Sequence, residues 1–156
     1  MIDIVLDTCT LVHANNSDSD YQEHSISLIN KLLENSTLVT VDEGFSLDES
    51  NHSSYIALEY LKHLTPGMLG HSLLSFLASN ERFSFISNKV PKSTKNYIEQ
   101  KIRNKKDRMF LRVAYNSQEK TLASHDYTDY QKNKRKTIKK DIDVLIVDAE
   151  DVNESL

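Results

Sequence analysis

The sequence predicts a three-layer α/β domain with a central parallel sheet, and three observations carry that expectation. Short apolar runs rich in branched side chains recur along the chain and read as buried strands. Between them lie segments whose apolar residues repeat at helical spacing. The two kinds alternate from one end to the other, which is the pattern of parallel strands joined by right-handed helical crossovers. A chain of 156 residues suits one domain with a real core. Residues 1–150 are read as that domain and 151–156 as a flexible acidic tail.

Ile4-Val5-Leu6 is the first strand and leads into Asp7-Thr8-Cys9-Thr10. His13 to Ser17 reads as a polar loop, then Ile26, Ile29, Leu32 and Leu33 mark a helix over about Tyr21–Leu33, with Asp18 or Asp20 as its cap. Thr37 to Val41 is the second, β-branched strand, and Asp42-Glu43-Gly44 turns the chain. The polar stretch from Phe45 to Ser53 is irregular. Ser54 opens a helix with Ile56, Ala57, Tyr60, Leu61 and Leu64 as its stripe, and Pro66-Gly67 breaks it. Met68 to Ala78 forms a further helix, and Phe83 to Ile86 a third strand. Ser93 or Thr94 caps a helix through Ile102. Asp107 begins another, ending near Asn116. Thr121 to Ser124 is the fourth strand, ending in His125-Asp126. A lysine-rich stretch follows, and Val144 to Val147 is the last strand.

Composition narrows the class. A net charge of −4, with 27% charged and 38% hydrophobic residues, belongs to a soluble globular chain. Three Gly and two Pro exclude collagen-like and linker-rich readings. No apolar run approaches the roughly 20 residues of a bilayer span, and no secretion signal is visible, so no membrane partner is expected. Cys9 stands alone, which excludes an internal disulfide and suits a reducing cytoplasm.

The carboxylates carry the chemical signal. Asp7 and Asp126 fall where strands end, and ligands of open parallel sheets collect beyond those ends. Asp7 also suits a helix cap, so position alone leaves both roles open. Asp107 falls at a helix start, where the dipole tolerates an anion. Glu59 sits among Ile56, Leu58, Tyr60 and Leu61, surroundings in which an acid is paired or liganded. Acids gathered in one crevice repel each other, and a divalent ion removes that conflict. Oxygen ligands select Mg²⁺ or Mn²⁺, and scattered His residues with a single Cys give no zinc pattern. Such ions suit phosphodiester hydrolysis by an activated water.

Four motifs together resemble the PIN-domain nucleases, which include the VapC-type toxins. Leu6-Asp7-Thr8-Cys9-Thr10-Leu11 is similar to the family's opening motif, and Ile56-Ala57-Leu58-Glu59-Tyr60-Leu61 to its second. Asp107-Arg108-Met109-Phe110 through Ala114 resembles the third, and Thr121 through Ser124-His125-Asp126 the fourth. The resemblance implies a five-stranded parallel sheet between helices and metal-dependent cleavage of RNA. It makes Asp7, Glu59, Asp107 and Asp126 the catalytic metal ligands, and it allows a protein antitoxin and a second copy as partners. Asp129 is a candidate extra ligand. Ser124 is a candidate to orient Asp126, and Thr8 or Thr10 to orient Asp7. The long polar stretch before Glu59 leaves Asp42, Glu43, Asp48 and Glu49 as alternatives for the second acid.

Basic clusters flank these acids. Lys105 and Lys106 precede Asp107, while Lys132, Lys134 and Arg135 follow Asp126. Both clusters are candidates for holding a phosphate backbone, and Tyr97, Tyr115, Tyr127 and Tyr130 for stacking on bases. Two other readings compete. Asp7-Thr8-Cys9-Thr10 loosely resembles the opening of haloacid-dehalogenase phosphatases, but Cys9 and Leu11 replace the acid and Thr that chemistry needs. A non-catalytic scaffold of the same fold, binding RNA or protein, is the other.

Overall fold

The computed structural model describes residues 1–50 and 52–156. Asn51, within the stretch read as irregular, lies outside the described residues. The architecture is the expected three-layer α/β arrangement. Five parallel strands, β1 (Asp3–Leu6), β2 (Leu38–Asp42), β3 (Phe83–Ile86), β4 (Thr121–Ala123) and β5 (Leu145–Val147), lie in the order β3-β2-β1-β4-β5. β1 is central and Ile4, Val5 and Leu6 are fully buried, as a strand covered on both faces must be.

The helices are α1 (Thr8–Val12), α2 (Gln22–Glu34), α3 (Tyr55–His63), α4 (Leu69–Ser79), α5 (Lys92–Lys101), α6 (Lys105–Asn116), α7 (Lys132–Ile142) and α8 (Ala149–Ser155). α6 lies across β1, β2 and β4 and packs against α3 and α5. α2 packs against α4 and α8. No helix among the described residues is long and apolar enough to cross a membrane.

Strand order creates the crevice in which the site lies. The chain builds outward from β1 through β2 to β3, then returns through α5 and α6 to place β4 on the other side of β1. The connections leaving β1 and β4 therefore diverge, and a crevice opens between their carboxyl ends.

Local differences from the sequence expectation have identifiable causes. α2 starts without a side-chain cap, so neither Asp18 nor Asp20 serves there. The Asn16 side chain instead accepts the Asp18 amide and the Ser19 hydroxyl accepts the Tyr21 amide, forming a turn that feeds the helix. α5 begins one residue after Pro91, whose extended backbone makes it the N-cap and leaves Ser93 and Thr94 inside the first turn. The lysine-rich stretch forms α7, with Arg135 and Ile138 turned inward.

The expected flexible tail is corrected: 149–155 forms α8, docked on α2. Val152 is buried, Asp148 caps the helix by accepting the Asp151 amide, and Asn153 donates to the His24 carbonyl. The tail's acidic composition hides its apolar anchors, Val152 with Ala149 and Leu156 beside it in the helical repeat. Val152→Ala should therefore lower unfolding free energy by about 2 kcal/mol in chemical denaturation. A loss below about 0.5 kcal/mol, the range of surface substitutions, would show that α8 adds nothing to the fold.

A candidate metal centre in the β1–β4 crevice

Asp7 follows the last residue of β1, and its backbone amide donates to the Ala123 carbonyl of β4 at 2.9 Å. The chain then turns at once into α1. Asp7 stands at that helix's N-cap, yet its side chain makes no capping bond. Its carboxylate accepts the Ser124 hydroxyl at 2.7 Å, and the Cys9 thiol lies 3.5 Å away. The Ser124 hydroxyl also accepts the Asp126 amide at 3.1 Å. One hydroxyl thus fixes Asp7 to the backbone that carries Asp126. Asp126 in turn accepts the amides of Thr128 and Asp129, which folds the turn after β4.

Asp107 lies in the first turn of α6, whose N-cap Asn104 accepts the Lys106 amide. Tyr130, fully buried, donates its hydroxyl to the Asp107 carbonyl at 2.9 Å and ties that turn to the β4–α7 connection. Carboxylate oxygens of Asp107, Asp126 and Asp129 lie within 4.8 Å of one another. Glu59 comes from α3, which is fixed by Tyr60 donating to the Leu6 carbonyl at 2.6 Å. Its carboxylate is 3.3 Å from the Lys106 ammonium and 3.7 Å from His63.

Asp7, Glu59, Asp107 and Asp126 line one cavity of about 330 Å³, together with Cys9 and His63. The four acids proposed from sequence are thereby gathered, and Asp129 reaches Asp107 and Asp126 from the same turn. Asp42, one of the alternatives to Glu59, is spent elsewhere. It accepts the Ser54 hydroxyl and the Tyr55 amide at the start of α3, and so holds the helix that presents Glu59.

The supporting residues divide. Ser124 contacts both Asp7 and the Asp126 backbone. Thr10 does not reach Asp7, because its hydroxyl donates to the Ala123 carbonyl. The Thr8 hydroxyl is buried without a partner, so it does not orient Asp7 either. Arg135 is corrected from a phosphate ligand to a buried brace. Its guanidinium donates to the carbonyls of Tyr130, Ser124 and Asp126 and stacks on Tyr127. Lys132 lines a separate cavity beside Tyr21 and Tyr127. Lys134, on α7, borders neither the carboxylate cavity nor the groove beside it.

His125 points away from the acids. Its Nε2 accepts the Ala149 amide, so its proton sits on Nδ1 and is donated to His13 Nδ1 at 2.9 Å. Burial lowers its pKa to about 4, with His13 adding to the shift, so the ring stays neutral near neutrality.

Electrostatics mark the cavity. Burial raises the Asp7 pKa against the help of Ser124 and Cys9, and Asp126 raises it further. Asp107 is pushed up to about 9, by burial first, then by its hydrogen bond with Asp129 and by repulsion from Asp7, Asp129 and Asp126. Asp3 is also buried, but it accepts the Gln118 and Glu119 amides and the Thr40 hydroxyl. Asp107 Oδ2, by contrast, is buried with no partner. A buried carboxylate oxygen without a donor is costly unless it is protonated or meets a cation. The oxygen-only donor set fits Mg²⁺ or Mn²⁺, which the triad Asp107, Asp126 and Asp129 could hold, while Asp7 and Glu59 line the same cavity without joining that triad.

No family model, curated protein or solved structure matches the chain. Function must be argued from this cavity.

The Asp107 shift has a signed consequence for the metal-free protein. Its folded-state pKa exceeds the ordinary aspartate value of 3.8, so the folded form holds the extra proton up to about pH 9. The contribution is present below 3.8 and is lost as pH rises toward 9. In EDTA, the stability of Asp107→Asn relative to the native chain should increase across that window, as read by denaturant melts. A difference that does not change with pH would refute the assignment.

Proposed function

We propose that this chain is a metal-dependent nuclease of the PIN type that hydrolyses RNA phosphodiester bonds in the cytoplasm. The orphaned Asp107 oxygen among converging carboxylates supports that reading most directly. Acids drawn from the end of β1, α3, α6 and the turn after β4 meet in one cavity, and the lysine among its described lining residues, Lys106, is paired with Glu59. Mg²⁺ or Mn²⁺ bound there would lower the pKa of a water and polarise a phosphoryl oxygen.

The chain's own residues do the rest. Asp107, Asp126 and Asp129 present oxygens within 4.8 Å of one another, and Asp7 lines the same cavity. Ser124 keeps Asp7 in register with the Asp126 backbone. Tyr130 and Tyr60 fix the α6 and α3 backbones, so the carboxylates are preorganised before any ligand arrives. Lys106, on the cavity wall, supplies positive charge where a phosphate would approach. No side-chain nucleophile is required. Cys9 is unsuited to that role, because burial and the neighbouring Asp7 push its thiol far above the usual range.

The test combines metal titration with cleavage. Mn²⁺ should raise the melting temperature, by mass action on the folded form. With a mixed-sequence RNA, the native chain should cleave in Mn²⁺ and not in EDTA. Asp7→Asn should stay folded and lose activity at least about a hundredfold. Full activity in Asp7→Asn would overturn the proposal. Mn²⁺-independent melting would do the same.

A further inference from the structure

A second depression of about 580 Å³ lies beside the carboxylate cavity. The two share Glu59 and Lys106, so that ion pair is the partition between them. One wall of the groove is α3, which exposes Tyr55 and Leu58, at 62% and 55%. The other wall is α5 and the start of α6, with Lys95 and Lys105 exposed on the rim. Among the described residues neither lysine forms an ion pair. The groove's arginines are committed: Arg108 donates to the Ile102 and Glu99 carbonyls, and Arg112 pairs with Glu99.

We propose that this groove is the track for one strand of a polynucleotide leading into the carboxylate cavity, with phosphates on Lys95, Lys105 and Lys106 and bases against Tyr55 and Leu58. The inference rests on the nuclease reading and names the form of its substrate. Charge complementarity and the exposed apolar wall argue for it together. A polyanion satisfies the lysines, and an unpaired base offers its flat face to the tyrosine. A duplex hides those faces in its stack and cannot use that wall. The Lys106–Glu59 partition links the two sites. A cation held by the carboxylates would compete with Lys106 for Glu59 and leave Lys106 free to meet a phosphate. The substrate then lies on the α3–α5–α6 side alone, and the lysines of α7 take no part.

The test is fluorescence anisotropy with a 12-nucleotide uridine oligomer, in Ca²⁺ and in EDTA, on the full chain. Tyr55→Ala should weaken binding about tenfold. Lys95→Ala with Lys105→Ala should weaken it and flatten its salt dependence. Lys136→Ala with Lys140→Ala on α7 should leave it unchanged, and the same oligomer annealed to adenosine strands should bind at least tenfold more weakly. These surface variants should keep the native melting temperature. Equal binding of the duplex would overturn the inference, as would weakening by the α7 pair but not the groove pair. An equally tight polyglutamate peptide would also overturn it and mark the groove as a protein-docking surface. Loss of the groove with the Mn²⁺ melting response intact would leave the metal centre standing. The reverse result would overturn the nuclease reading alone.

Discussion

The hydroxyl of Ser124 joins the two strand ends on which the site depends. It donates to the Asp7 carboxylate and accepts the Asp126 amide, so β1 and the turn after β4 move as one unit. Around it, Thr10 clasps the Ala123 carbonyl and Arg135 gathers three carbonyls of the β4–α7 connection. The Ser124 and Thr10 bonds span the place where the strand order reverses, and Arg135 braces its β4 side. The crevice is a product of topology, and its side chains are held by neutral donors and one buried guanidinium.

Like charges in a small volume set the problem the rest of the site must solve. Asp3 shows the ordinary solution, a buried carboxylate surrounded by donors. Asp7 is partly served in that way, and Glu59 has Lys106 and His63 beside it. Asp107 has neither, and its proton is retained far beyond the usual range. A hydrophobic enclosure that keeps an unpaired carboxylate oxygen spends stability at that point. Proteins retain such strain where a ligand relieves it.

The fold was legible because its signals are local. β1, β2 and β5 announce themselves by branched apolar runs, and the α3 start by Ser54, whose side chain does accept the Ala57 amide. Asp7, Asp107 and Asp126 were readable because strand ends and helix starts can be located without knowing who pairs with whom. Glu59 was readable by the company of Ile56 and Tyr60, although its other neighbour, Leu58, is exposed. Roles that depend on tertiary contacts were hidden. Arg135 reads as one more surface cation in a basic run, and only the packing of α7 shows that it is buried. Tyr130 reads in sequence as a residue for stacking or for core packing, and it takes the second role as a buried tie to Asp107. Tyr55, the exposed aromatic of the basic groove, carries no signal in sequence, since an aromatic at a helix start reads as core. α8 is hard to read in sequence because Ala149, Val152 and Leu156, although at helical spacing, are few and lie among acids.

The acids stand at element ends while the core is built from other residues, and this separates the fate of the fold from the fate of its chemistry. Neutralising any one carboxylate removes repulsion and leaves Ile4, Leu6, Phe110 and Leu122 packed as before. Mutational drift therefore meets little thermodynamic resistance toward inert descendants with the same shape. Only selection for a charged cavity keeps such a lineage from sliding that way.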